Sequence, residues 1–182
     1  MRSRSILAVA FAVVLAVGCT SDEEAPADEG MEGTEEYEEP DTEMDDGTAE
    51  LGSTHDFGDG VTIAMVDLRR EVAEDAYNPT TGEDGALPYV AWSWELTNGT
   101  GAPLQLGGMT GTCHVGDPLE EVEQPHLGQS LNPPDRLSSG QTATWEADCF
   151  MNEDETALQY TLELYDLDSV PLYSVTFAGD VP

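Results

Sequence analysis

The stretch YVAWSWELTN, residues 89–98, decides the fold of this 182-residue chain. Its large apolar side chains occupy alternate positions: Val90, Trp92, Trp94 and Leu96. A period of two is typical of a β-strand that has one face in the core and the other face toward solvent. The stretch therefore predicts a strand with two core tryptophans, which ends at the turn sequence NGTG.

The same alternation recurs on both sides of this strand. It runs along GVTIAMVDL, QTATWEADCF and LQYTLELYD, residues 60–68, 141–150 and 158–166, with shorter or weaker runs at 104–106, 110–115, 119–123 and 172–177. Helical spacing of apolar residues is nearly absent, and the charged segment 68–76 is predicted to be a loop with at most one turn. Seven or eight short strands separated by turns predict an all-β fold, an antiparallel sandwich whose core holds Trp92, Trp94 and Trp145.

The chain begins with MRSRSILAVAFAVVLAVGC, a basic head followed by an apolar run at residues 6–17. A run of about a dozen residues is too short to span a bilayer, which takes about 20, and is typical of an export signal. This segment resembles the precursor of a bacterial lipoprotein, with Ala16, Val17, Gly18 and Cys19 in the place of the lipobox. The resemblance implies that residues 1–18 are removed as a signal peptide. It also implies that Cys19 carries a diacylglyceryl group, which anchors the protein at the extracytoplasmic face of the membrane.

Residues 19–50 are rich in Glu, Asp, Gly, Thr and Pro and contain no basic residue. The few apolar side chains in this segment cannot bury enough surface to offset the entropy that is lost when the backbone is ordered. We therefore predict a disordered acidic tether. The folded domain is predicted to cover residues 51–182.

The formal net charge is −33 at pH 7 and the chain has no lysine. This charge argues against nucleic-acid binding, which depends on basic groups that meet phosphates. It also argues against adsorption to anionic lipid, so we expect membrane contact through the acyl chains alone. Electrostatic capture of a cationic partner and plain solubility both remain compatible with the acidity.

If Cys19 carries lipid, Cys113 and Cys149 remain as an even pair in an exported domain. An oxidising compartment permits a disulfide between them, and we predict that bond. A metal or redox site that includes His114 is the alternative, but no second Cys or His stands at zinc-type spacing.

Two segments, YVAWSWELTNGTGAPLQL and LSSGQTATWEADCF, resemble a family of extracytoplasmic domains of unknown function that is common in lipoproteins of high-GC Gram-positive bacteria. The shared features are the turn at Asn98, the Leu104-Gln105-Leu106 strand and the turn at Gly140-Gln141-Thr142. The resemblance implies an immunoglobulin-like sandwich over most of residues 60–177. The family offers no catalytic residues to carry over.

No nucleophile motif, zinc motif or phosphate-binding loop appears in the sequence, so we predict no catalysis and no cofactor beyond the lipid. Calcium is the alternative ligand, because two short acidic turns offer the oxygen ligands that it prefers. The candidate ligands are Asp56, Asp59, Glu153, Asp154 and Glu155.

Function in a sandwich usually lies in its loops. Two long loops are predicted, at residues 69–88 and 116–140. Their candidate contact residues are Tyr77, Asn78, His126 and Leu127. Two hypotheses follow: a lipid-anchored surface module that binds an envelope or extracellular protein, and an extracytoplasmic binder of calcium or a small ligand that uses clustered carboxylates.

Overall fold

The computed structural model describes residues 46–182, which form an all-β domain. Its strands are β1 (Asp46–Glu50), β2 (Thr54–Asp56), β3 (Val61–Asn78), β4 (Glu83–Asn98), β5 (Leu104–Gln105), β6 (Gly108–Val115), β7 (Glu120–Val122), β8 (Arg136–Leu137), β9 (Thr142–Phe150), β10 (Ala157–Tyr165) and β11 (Pro171–Asp180). Seven of them have five residues or more, and the other four have only two or three. Within this range, no helix has the length and apolarity needed to cross a membrane.

Two open sheets form a sandwich. The first has the order β1-β11-β10-β6-β7, and the second has the order β2-β3-β4-β9. The short strands β5 and β8 pair with each other beside them. In residues 46–182, every strand pair is antiparallel except β1 with β11. The prediction of an all-β antiparallel sandwich is confirmed.

The core between the sheets is built on the predicted tryptophans. Trp92 and Trp94 are fully buried and Trp145 is 1% exposed. Trp92 meets Tyr160 edge-on at a centroid distance of 4.9 Å, and Trp94 lies 5.1 Å from Phe177. Because Tyr160 and Phe177 belong to the first sheet, these contacts join the two layers.

The predicted disulfide between Cys113 and Cys149 is present. Cys113 lies near the end of β6 in the first sheet and Cys149 near the end of β9 in the second, and both are buried. The bond therefore links the two sheets directly at one end of the sandwich.

Two predictions about segment boundaries are wrong. Residues 46–50 fell in the predicted tether but form β1, because their backbone pairs with β11 from Ser174 to Ala178 although the sequence DGTAE has no apolar alternation. Residues 68–76 were predicted to be a loop but belong to β3, whose charged second half extends past the core.

Asn98 organises the end of the sandwich where β4 finishes. Its side chain is fully buried, and its amide donates to the carbonyls of Ala102 and Leu137, both at 2.9 Å. Its Oδ1 accepts bonds from the amide and the hydroxyl of Thr100, at 3.0 and 2.6 Å. This one side chain thus forms hydrogen bonds with polar groups of the turn and also attaches the turn to β8.

We expect Asn98→Ala to lower the free energy of unfolding by about 2–3 kcal/mol, because it removes these hydrogen bonds and leaves the buried carbonyl of Leu137 without this donor. Chemical denaturation checks this value. Thr142→Ala is the matched control: it removes an exposed side-chain hydrogen bond to Thr97 and should cost about 1 kcal/mol or less. Equal costs for the two variants would show that Asn98 does not organise this end.

Candidate binding surface at the arm end

The most distinctive feature is a two-stranded arm. The pairing of β4 with β9 ends at Tyr89 and Phe150. The pairing of β3 with β4 continues beyond that point and ends at Asn78 and Glu83. We call residues 72–88 the arm. The arm continues past the disulfide, and we call that side of the sandwich the arm end.

The chain enters the domain from the opposite side. Tyr160 of β10 pairs with Cys113 on one side and with Phe177 of β11 on the other. The disulfide is therefore level with the second half of β11. Strand β1 runs parallel to β11 from Ser174 to Ala178, that is, toward the arm end. The first described residue, Asp46, therefore lies toward the end of the sandwich away from the arm.

Two bulges bend β3 on its way into the arm. The register with β4 shifts between Val66 and Arg69, where Asp67 has a φ of 54°, and again between Ala73 and Ala76. Bulges of this kind increase the local twist and redirect a strand. Residues 69–73 between them pair regularly with β4.

A polar network fixes the base of the arm on the outer face of the second sheet. The hydroxyl of Tyr89 donates to Glu71 Oε2 at 2.5 Å, and Arg69 Nε donates to Glu71 Oε1 at 2.5 Å. Hydrogen bonds from Tyr89 and then Arg69 lower the pKa of Glu71. Burial, followed by the bond to Glu71, raises the pKa of Tyr89 to about 12. At neutral pH the network therefore holds a carboxylate between a neutral phenol and a guanidinium.

Arg70 ties the arm to the connection between β9 and β10. Its guanidinium donates to the carbonyls of Asn152 and Glu155, at 3.2 and 2.6 Å. A small apolar cluster supports the same region from the outer face, formed by Ala76, Tyr89, Ala91 and Phe150 with Ala73 and Leu87 packed against it. The arm is thus a packed extension of the sheet.

Asp148 holds the long β7–β8 connection against the outer face of the second sheet. The residue is 2% exposed, and its two carboxylate oxygens accept hydrogen bonds from the amides of His126 and Leu127, at 2.8 and 2.6 Å. The amide of Gln129 donates to Glu146 Oε2 at 2.6 Å. Bonds from amides to carboxylates are strong, so this connection is fixed to β9 at several points.

Several clefts open around the arm end. One of about 350 Å³ lies between Thr80 at the arm tip, residues 111–113 of β6, and the segment from Glu121 to Gln124 with His126. Gln124 shapes its wall, because its amide donates to the carbonyl of Gly111 at 2.7 Å and its Oε1 accepts from Tyr160 at 3.0 Å. A second cleft, of about 330 Å³, is lined by residues 70–72, Pro88, Tyr89, Met151 and Glu153.

The structure separates the four predicted contact residues. Tyr77 and Asn78 do not lie in a loop, because they are the last residues of β3. Tyr77 is 60% exposed, whereas Asn78 is buried and its Oδ1 accepts the amide of Thr80 at 3.0 Å to form the arm turn. His126 and Leu127 lie in the β7–β8 connection as predicted, and Leu127 is 43% exposed.

The predicted calcium ligands serve local turns. Asp56 Oδ1 accepts the amide of Gly58, and Asp59 Oδ1 accepts the amide of Val61, both at 2.8 Å. Glu155 Oε2 accepts the amide of Asn152 at 2.7 Å, which closes the acidic turn that also holds Glu153 and Asp154. Across residues 46–182, no group of three or more His, Cys, Asp or Glu side chains is arranged to hold a metal ion. Calcium binding stays a prediction.

Tyrosine ionisation should weaken the domain at alkaline pH. Burial raises the pKa of Tyr160 and, with a hydrogen bond to Asp59, that of Tyr173 above their usual value. A raised folded-state pKa means that the unfolded chain releases the proton first. The stabilisation is therefore complete below about pH 10 and is lost as pH rises further.

We expect the free energy of unfolding to fall steadily above about pH 10, measured by denaturant titration at a series of pH values. In Tyr160→Phe the slope of this decline should be smaller, because that hydroxyl no longer titrates. An unfolding free energy that does not change across this range would contradict the assignment.

Sequence reasoning missed the arm and the role of Asp148. The sequence NPTTG at residues 78–82 is a turn signal between two stretches that pair with each other, and it was available as a hairpin signal. No local signal identifies Asp148, whose partners lie 21 and 22 residues away in the chain.

Neither the family models, nor the curated proteins, nor the solved structures contain a match to this chain.

Proposed function

We propose that this protein is a lipid-anchored binding module at the extracytoplasmic face of the membrane, which holds a partner protein of the envelope through its arm and performs no catalysis. The lipid anchor rests on the signal-like segment and on Cys19 in the lipobox-like sequence. The binding role rests on the described domain.

The arm is the single observation that carries the proposal. A hairpin that extends past its neighbouring strand adds little to a core, yet this one is held by the Glu71 network, by Arg70 and by its own apolar cluster. It also exposes two large apolar side chains, Val72 at 50% and Tyr77 at 60%. Exposed apolar side chains on a rigid projection favour a contact surface.

The direction of the chain supports this role. Asp46, the first described residue, lies toward the end of the sandwich away from the arm. A domain held through that end can present the arm away from its attachment. A tether of about 27 residues would reach about 30 Å as a flexible coil, which leaves room for a partner at the membrane surface.

Photo-crosslinking in intact cells tests the proposal. A photoreactive phenylalanine analogue replaces Tyr77 in one strain and Leu167 in another. Leu167 is a matched position, because it is 63% exposed and lies in the β10–β11 turn at the other end of the sandwich. We expect a discrete protein adduct from position 77 and none from position 167. Identical patterns, or adducts from position 167 alone, would contradict an arm-based binding role.

A further inference from the structure

We propose that the open edge of β3 between its two bulges, residues 69–73, binds an extended cationic segment of the partner, which adds to the second sheet as a further strand. This inference rests on the proposed function and names the chemistry of the partner. It is carried by the backbone geometry of β3 and by the charge around it.

The backbone groups that face the open edge follow from the register. Two even-numbered residues of β4 show which way its peptide groups point. The amide of Asn98 donates to the carbonyl of Gln141, and the carbonyl of Pro88 accepts from the amide of Met151, so both face the β9 side. The odd-numbered residues of β4 therefore face β3, and they pair with residues 69, 71 and 73. The peptide groups of Arg70 and Val72 consequently point away from β4, toward the edge.

This edge is open in the described domain. Strand β2 pairs with β3 only from Thr62 to Ala64, and no strand within residues 46–182 pairs with the same edge beyond that point. The regular stretch of five residues is about 17 Å long at 3.4 Å per residue, which is enough for a short ladder. Unpaired edges of this kind are where extended peptides add to sheets.

A groove beside the edge offers space for an apolar side chain. It has a volume of about 330 Å³, and Val72, Pro88 and Met151 supply its apolar wall. Glu153 also lies on this groove, and Glu71 lies there with its carboxylate already bound by Arg69 and Tyr89. In a strand that alternates apolar and basic side chains, the apolar ones share one face and would pack on this wall. The basic ones would lie on the opposite face of the sheet, the face that carries Glu71 and Glu146.

The charge of the chain indicates which kind of segment can bind at the open edge of β3. The net charge of −33 opposes pairing between two copies of this chain at the same edge. The tether has no basic residue, so its own binding here is opposed in the same way. Two arginines belong to the stretch, but Arg69 pairs with Glu71 and Glu146, and Arg70 donates to backbone carbonyls. Glu74 and Asp75 lie at the second bulge, so the surroundings of the edge are acidic on balance. A cationic strand is therefore the complementary partner.

The test uses the full lipidated chain in uncharged detergent and a short synthetic peptide that alternates Lys and Val. We expect saturable binding at low salt, which weakens in about 1 M salt as the Debye length falls to about 3 Å. The same peptide with every backbone amide methylated keeps its charge but cannot form a ladder, so it should not bind measurably. Equal binding of the methylated peptide would overturn the proposal, because charge alone would then suffice.

A matched pair of variants locates the site. Val72→Pro removes an amide that faces the edge, and Val72→Thr keeps that amide and the branched side chain. We expect the proline variant to bind the peptide about tenfold more weakly, which corresponds to about 1.4 kcal/mol, and the threonine variant to stay within about threefold of the wild type. Unchanged affinity in Val72→Pro would place the peptide elsewhere and overturn the proposal.

Hydrogen exchange on the wild-type chain gives a readout that does not depend on the folding of a variant. Peptide binding should slow exchange at the amides of Arg70 and Val72, and unchanged exchange there would contradict the site. Two other results would overturn the cationic occupant. Dimers in sedimentation that Val72→Pro abolishes would show that a second copy of this chain binds the edge. A peptide affinity that rises about tenfold when residues 20–45 are deleted would show that the tether binds there. If the photo-crosslinking at position 77 succeeds but the peptide does not bind, the proposed binding role of the arm is retained and only the proposal of an added cationic strand is contradicted.

Discussion

Trp94→Ala is expected to lower the free energy of unfolding by about 3–5 kcal/mol, the usual cost of deleting a large aromatic side chain from a packed core. Trp94 is fully buried and lies beside aromatic rings of both sheets, Trp92 and Trp145 on its own and Tyr160 and Phe177 on the other. Its removal therefore takes away buried area and also opens a cavity between the layers. Denaturant unfolding, followed by far-UV circular dichroism, measures the change.

Two control variants separate core packing from the general loss of an aromatic ring. Tyr77→Ala deletes a ring that is 60% exposed and should change the unfolding free energy by about 0.5 kcal/mol or less. Trp94→Phe keeps a ring and removes an indole N–H that has no hydrogen-bond partner among the described residues, so its cost should be below that of the alanine variant. A Trp94→Ala protein of wild-type stability would show that the tryptophans do not form the core.

Removal of the disulfide should have an effect of similar size. The double variant Cys113→Ser with Cys149→Ser frees a loop with a sequence separation of 36 residues. The loss of that constraint on the unfolded chain is expected to cost about 4 kcal/mol. Because both sulfurs are buried, the serine hydroxyls add a further penalty that Ala variants would avoid.

Two measurements check the disulfide. A thiol reagent applied to the denatured, unreduced wild-type protein should find no free thiol at Cys113 or Cys149. Denaturant titration should then show that reduction of the wild type lowers its free energy of unfolding by about 4 kcal/mol. Two titratable thiols, or no change on reduction, would contradict a structural disulfide.

The strands that surround the core were predictable because each has one apolar face. In β4, β9 and β10, alternate residues are buried between the sheets, so the period of two is visible in the sequence. Trp92, Trp94 and Trp145 could be assigned to the core for the same reason, and the structure confirms that assignment.

The segments that were misassigned lack that apolar face. The second half of β3 is largely exposed, so REVAEDAYN carries charges at positions that a core strand would fill with apolar residues. Strand β1 is held by backbone pairing to β11, and its sequence DGTAE leaves no apolar alternation to detect. Backbone pairing decides both cases, with the distant β11 for β1 and across the NPTTG hairpin for β3, and a period of apolar residues does not report it.

The candidate surface was only partly predictable. The residues Tyr77, Asn78, His126 and Leu127 were predicted from loop composition, and the structure places them on two different elements. The open edge at Arg70 and Val72 depends on which peptide groups β4 satisfies, which only the register reveals. The implied immunoglobulin-like family membership stays a prediction.

The central claim is that an anchored domain presents its arm outside the cytoplasm, and the mass of the N-terminal peptide of the mature protein tests it most directly. The account predicts a chain that begins at Cys19 and carries a diacylglyceryl group on its sulfur. A mature chain that retains Arg2 and Arg4, or that begins after an unmodified Cys19, would contradict it.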